Sequence, residues 1–206
     1  MLDKLIVELD KTLRDLTTTP KSVRAHPDAN ISKDDLTVEE MKHSIGLMRI
    51  NHCGEVCAQG LYHGQGLFVR VEKNKEALGH AAWQEEEHLA WTAQRIHELG
   101  GNTSVINPLF YFGSLGIGAI ASICGDEWSL GFLEETEKQV GAHLQEHLEL
   151  LPAKDCKSRA ILEQMKTDEA QHAEMAHDFG AKELPAIIKH AMQLTSKLMT
   201  KTVYYI

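Results

Sequence analysis

Positive charge is scarce in this chain: 21 Lys and Arg stand against 30 Asp and Glu, a formal net charge of −9. That balance argues against a nucleic-acid partner, whose footprint is a basic patch, and against a membrane grip by a basic face. Aromatics make only 6% and prolines number 5, scarcities that favour helix. The four cysteines, Cys53, Cys57, Cys124 and Cys156, form no CxxC, so neither a zinc ribbon nor a redox dithiol is signalled. They read as free thiols of a reducing compartment. The first residues, MLDKLIVELDKTLRDL, are charged throughout and lack the apolar run of a secretory signal. A cytoplasmic location is therefore expected. No GxGxxG joins a strand to a helix, so any reducing equivalents come from another protein, from the substrate, or from a nicotinamide held without that fold. Period-two alternation is also missing, which leaves an all-α chain.

Histidine, by contrast, is abundant, with 12 residues. An excess of Glu and His together suits carboxylates whose partner is a cation. Residues 1–35 read as an amphipathic helix, with Leu2, Leu5, Ile6, Leu9 and Leu13 on one face, followed by a polar loop over 17–35. The remaining 36–206 read as one helical domain. Long helices are expected over roughly 37–70, 73–99, 126–151 and 156–179, with a last one over roughly 183–203. Thr37 with Glu40 forms a capping box at the first start, and Gly100–Gly101 and Gly180 mark stops.

Two segments carry Glu-x-x-His: Glu85 with His88, and Glu169 with His172. Three apart on a helix, each pair projects to one side and can grip one ion. Register makes them more than chance matches. Leu78, Ala81, Glu85, His88, Thr92, Ile96 and Leu99 form one stripe, and Leu162, Met165, Glu169, His172, Ala176 and Phe179 form another. A carboxylate on a core-facing stripe is costly unless it is paired or bound to metal. Glu174 with His177 is a third match that falls about 140° round the helix, off the stripe, and reads as solvated. Each of the other two helices places an acid in an apolar row. Glu55 follows Met41, Ile45, Met48 and His52. Glu137 follows Leu130 and Leu133, with Glu134 as its rival.

The chain then reads as two similar halves. Glu55 to Glu137 is 82 residues, and Glu85 to Glu169 is 84. One inward Glu, a turn and an inward ExxH, twice over, is the arrangement of dinuclear carboxylate sites in ferritin-like four-helix bundles. Four carboxylates and two imidazoles suit iron or manganese better than zinc or magnesium. Four Glu offset two divalent ions in charge, so the site can lie in a core. Two irons can also supply two electrons to O2. Buried salt bridges are the alternative, but no Lys or Arg lies on these stripes at the level of the acids.

The segment RINHCGEVCAQGLYHGQ, Arg49–Gln65, carries NHxGE and YxGQ. With WQEEEHL, NPLFYFGSLGIGA, GDEWSLGFLEETE and DEAQH following in order, the chain over roughly 30–206 resembles the demethoxyubiquinone hydroxylases, di-iron monooxygenases of ubiquinone biosynthesis. Cys53 departs from that signature, which usually has a small residue there. The resemblance implies ligands at Glu55, Glu85, His88, Glu137, Glu169 and His172, the six that register picks. It implies two iron ions, O2 as co-substrate and an external reductant. The implied reaction adds one hydroxyl to the ring of a polyprenylated methoxy-benzoquinol. The expected partners are the membrane-embedded quinol, other ubiquinone-biosynthesis proteins and the membrane surface, with a homo-oligomer left open. Asp168 is the candidate outer partner of His88. His143, matching a family His, is a candidate proton carrier. His52 and Tyr62 are candidate supports of Glu55, on whose stripe they lie.

Residues 101–125 contain no charge at all. A full membrane span there would put the halves of one metal site on opposite sides of the bilayer, and Pro108, Gly113, Gly116 and Gly118 weaken a spanning helix. Leu109, Phe110, Tyr111, Phe112, Leu115, Ile117 and Ile120 are instead expected to lie in one leaflet, making the protein monotopic on the cytoplasmic face of the bacterial inner membrane. The rival is a crossover buried between copies. Two other functions stay open: a ferritin-class iron protein with no organic substrate, and a helical scaffold with salt-bridged acids.

Overall fold

The computed structural model describes residues 22–32 and 35–206. The amphipathic helix expected around Leu2–Leu13 lies outside them. Six helices are described: α1 (Val38–Gly66), α2 (Glu72–Glu98), α3 (Asn107–Ile123), α4 (Asp126–Leu150), α5 (Cys156–Asp178) and α6 (Ala186–Val203). Local chemistry sets their ends. Thr37 accepts from the Glu40 backbone N–H while Glu40 accepts from that of Thr37, the expected capping box. Gly100 and Gly180, just past α2 and α5, have φ of 84° and 94°, a region that glycine occupies without strain. Pro185 stands immediately before α6, where no helical N–H is lost.

Helices α1, α2, α4 and α5 form the four-helix bundle. Its lower core joins Met48, Trp91, Ile96, Leu144, Leu162 and Met165, and its upper core joins Tyr62, Leu78, Leu130, Leu133 and Ala176. The carboxylate layer lies between these two apolar plugs. The stripes read from register are inside: Leu78, Ala81, Thr92 and Ile96 are buried, as are Leu162, Met165 and Ala176. Glu174 and His177 are exposed, as their register requires.

The crossover departs from expectation. It is a regular helix, α3, for most of its length. Pro108 sits in the first turn, where its missing N–H breaks nothing. Of the glycines of α3, Gly118 serves close packing, as do Gly60 and Gly64 facing that helix on α1. A Cβ on Gly60 or Gly64 of α1 would strike the carbonyls of Tyr111 or Leu115, and one on Gly118 would strike that of Leu61. Backbone therefore lies against backbone where α3 crosses α1. Tyr111, expected at a lipid surface, is fully buried, and its hydroxyl is 2.7 Å from His63 Nδ1. Phe110 and Leu115 are half-buried. The apolar surface of α3 is instead Leu109, Phe112, Ile117, Ile120 and Ile123. Among the described residues, no helix is long and apolar enough to cross a membrane.

Candidate metal centre

Each of the four bundle helices delivers its acid to one buried layer. Glu55, Glu85, His88, Glu137, Glu169 and His172 are all at most 3% exposed. Their donor atoms fall into two overlapping sets: Glu55, Glu85, His88 and Glu169, and Glu85, Glu137, Glu169 and His172. Glu85 and Glu169 belong to both sets. The two sets could hold two ions side by side, with Glu85 and Glu169 shared between them and one further Glu and one His in each set.

Both imidazoles turn the same edge inward. His88 Nδ1 is 3.1 Å from Glu85 Oε2 and 3.2 Å from Glu169 Oε1. His172 Nδ1 is 3.1 Å from Glu169 Oε2 and 3.1 Å from Glu85 Oε1. Their outer nitrogens are held from behind. His88 Nε2 is 3.0 Å from Asp168 Oδ2, and His172 Nε2 is 3.0 Å from Gln84 Oε1. An imidazole whose Nε2–H donates to such an acceptor presents a bare Nδ1 to a metal. Tyr62 donates to Glu137 Oε1 at 2.6 Å, fixing that carboxylate.

The residues fit a metal pair. Glu85 Oε1, Glu137 Oε2 and Glu169 Oε1 are buried and take no well-formed hydrogen bond, although His172 Nδ1 lies 3.1 Å from the first and His88 Nδ1 3.2 Å from the last. Buried acceptors are normally satisfied, and a cation would satisfy these. Among the described residues, no Lys or Arg pairs with any of the four acids; Glu55, Glu85 and Glu169 lie instead 3.1–3.4 Å from His88 or His172. Proton affinities report the same crowding. Burial, reinforced by Glu85, pushes Glu55 well above the usual carboxylate range, and burial with Glu169 does so for Glu137. Burial acts on Glu85 in the same direction but is outweighed by His88, which holds it well below that range. Burial pulls His172 down, yet its bonds to Glu169 and Glu85 lift it to about 11. Protons here occupy a place that suits cations.

Of the supporting residues expected, Tyr62 does reach the cluster, but through Glu137 rather than Glu55. His52 does not reach it: its Nδ1 is 3.0 Å from Thr92 Oγ1, and burial holds its pKa down at about 4. Although one turn from Glu55, it points towards α2. Glu134, the rival of Glu137, is spent on Lys138, at 2.5 Å. His143 lies outside the layer, bonded through Nε2 to Ser196 of α6 at 2.9 Å. Gln84 was not expected from sequence, although it precedes Glu85 as Asp168 precedes Glu169, and the repeat marks it. Arg24 was also missed. It forks onto Asp168 at 2.7 and 3.3 Å, a contact between residues 144 apart that no local pattern announces. Burial pushes Asp168 up, but His88 and Arg24 hold it at a pKa of about 2.

Residues 42–203 match the family model described as ubiquinone biosynthesis protein COQ7. The chain belongs to this family. A protein of Chromobacterium violaceum named 3-demethoxyubiquinol 3-hydroxylase is 60% identical over 204 residues, 99% of each chain. One of Laribacter hongkongensis with the same name is 56% identical over the full length of both. Among solved structures, the dodecameric thioferritin of Bacteroides fragilis, a bacterioferritin-related protein, superposes with a TM-score of 0.57. It covers 70% of this chain and 86% of its own at 20% identity, which shows a ferritin-like fold.

Proposed function

We propose that this COQ7-family protein is a di-iron monooxygenase that hydroxylates the ring of a polyprenyl methoxy-methyl-benzoquinol, demethoxyubiquinol, in ubiquinone biosynthesis. The observation that carries the reading beyond the metal layer is an open cavity of about 420 Å³ lined by α1, α3, α4 and α6. Its lining is mostly apolar, including Leu61, Phe110, Phe132, Met192 and Met199. Gly54 and Ala58 in its wall flank Glu55 on α1, and Thr136 and Val140 flank Glu137 on α4. An aromatic ring seated there lies against the backs of the two helices that carry the terminal carboxylates. A ferritin-class iron protein has no use for such a chamber.

Glu85 and Glu169 would bridge the irons, with Glu55 and His88 completing one and Glu137 and His172 the other. When bound, that pair supplies the redox chemistry that activates O2. The chain's own residues do the rest. The apolar walls admit the ring and exclude water, which positions the reactant and suppresses side reactions. One oxygen atom replaces hydrogen on a ring carbon and the other leaves as water, using two electrons from an external reductant and two protons. His143, in the cavity wall beside Ser196, would take a proton from a quinol hydroxyl.

The substrate's tail needs a lipid surface at the cavity mouth. Leu109, Phe112, Ile117, Ile120 and Ile123 of α3 and Ile187, Leu194 and Leu198 of α6 are exposed on the two helices that roof the cavity. Exposed apolar surface on this scale marks an interaction site, and we assign it to one leaflet of the inner membrane at its cytoplasmic face. Phe112→Asp with Ile120→Asp should stop flotation with vesicles of neutral lipid while iron stays bound. Retained flotation would reject the anchor. Phe110, packed on Ile50, Cys53 and Val203, is unsuitable for this test because a charge there would break the fold.

The reaction itself is tested by turnover under labelled dioxygen with the product weighed. The new hydroxyl should carry the label. An unlabelled hydroxyl would mean that water supplies the oxygen and that the monooxygenase reading is wrong.

A further inference from the structure

The two ion positions have the same inner ligands but different backing. Glu85 and Glu169 are equivalent in the repeat, and so are the residues before them, Gln84 and Asp168. Each reaches across the bundle to the histidine of the opposite half, at 3.0 Å in both cases. One half therefore offers its partner's imidazole a carboxylate, and the other offers a neutral amide.

We propose that the two positions are unequal in consequence: the position at His88 binds its ion more tightly and is the more electron-rich of the two, while the position at His172 is the weaker and more readily reduced. This rests on the reading of the layer as a metal pair. A hydrogen bond to an ionised acceptor is roughly twice as strong as one between neutral groups. It draws the Nε2 proton outward and leaves more negative charge on the ring, so Nδ1 becomes the better donor. The amide oxygen of Gln84 orients His172 equally well but pulls less on its proton.

The carboxylate is built to stay in place. Asp168 is 2% exposed, and its Oδ2 accepts from both His88 and Arg24 while its Oδ1 accepts from Gln164 at 2.9 Å. The guanidinium offsets its charge, so the pair can be buried at His88's back without a net ion. Arg24 is itself stacked over Trp91, its carbon 4.9 Å from the ring centroid. Neighbouring Ser22 and the Val23 and Arg24 backbone N–H groups donate to Glu87 on α2. The segment before α1 thus acts as a strap that holds the His88 side. Gln84, by contrast, is only half-buried.

The test is an anaerobic titration of the metal-free full-length protein with ferrous ion, followed by circular dichroism and calorimetry. The wild type should fill in two distinguishable steps. Asp168→Asn should weaken the first step by about 10–100-fold, the usual cost of losing such a partner, and draw the steps together. Gln84→Glu should strengthen the second step and draw them together from the other side. That gain would not follow if these residues were only structural supports. Should Asp168→Asn fail to fold, the half-buried Gln84→Glu decides alone. Two equal steps in the wild type, or a second step that Gln84→Glu leaves unchanged, would overturn the inequality while leaving the metal pair intact. No ferrous binding by the wild type would instead overturn the metal reading on which it rests.

Discussion

The first half of the bundle, α1 with α2, and the second, α4 with α5, carry the same ligand pattern and differ in what covers it. Over α1 lies α3, backbone to backbone, and with α6 it makes an apolar chamber behind Glu55 and Glu137. Among the described residues, no helix covers the seam between α4 and α5. A groove of about 520 Å³, edged by Glu134, Lys138, Lys166, Glu174 and His177, reaches Glu137 and Glu169 from solvent. The repeat thus builds one layer with matching inner ligands, and its two coverings make the sides unlike. One side offers a mostly apolar lining that suits an organic ring. The other is a groove edged by charged side chains.

The sharpest way to break the comparison is to remove ligands by role. Glu169→Ala, which loses a bridge, should lose both irons and lower hydroxylation by several orders of magnitude. Glu55→Ala and Glu137→Ala should each lose mainly their own half's iron. Glu174→Ala with His177→Ala is the control and should keep both, as iron analysis would show. If the control loses iron and Glu169→Ala retains it, the wrong helix face has been assigned.

Next in size is the covering of the first half. Gly118→Val should cost about 1–3 kcal/mol or more, because the methyl groups meet the immovable carbonyl of Leu61. Gly113→Ala on the same helix meets nothing and should be neutral or slightly stabilising. Urea midpoints compare the two. Equal effects would mean that α3 does not lie on α1 as described.

An effect that is absent at neutral pH and develops only in acid lies at the seam between the halves, where His147 of α4 donates from Nδ1 to Asn51 Oδ1 of α1 at 2.7 Å. Burial, with His143 and His43 nearby, lowers its pKa to about 4. Between pH 6.5 and 4 the unfolded chain binds a proton there that the folded chain does not. Stability is therefore full above pH 6.5 and falls as the pH drops, by about 3 kcal/mol at pH 4. His147→Gln should flatten this limb in urea unfolding at several pH values. An unchanged slope would mean that His147 is charged in the fold.

Much of this was legible in sequence because helical period and burial coincide. Glu55, Glu85, Glu137 and Glu169 are acids on stripes whose other members are mostly apolar, so register points to them, although it left Glu134 as a rival of Glu137. Asp168 followed from its place beside a ligand. The fate of residues 101–125 was not legible. An uncharged run has no polar face to betray its period, and only the glycines of α1 reveal what lies against it. Tyr111 reads as lipid-facing until His63 is seen beside it. The cavity, too, joins four helices distant in sequence, so His143 could be marked but not placed.

The central claim is that the two halves together hold one coupled pair of irons. The Mössbauer spectrum of the iron-loaded protein, taken with iron per chain, tests it most directly. The account predicts about two irons per chain, one for each of the two donor sets, and an antiferromagnetically coupled pair when oxidised. One iron per chain, or two that behave as isolated paramagnets, would contradict it.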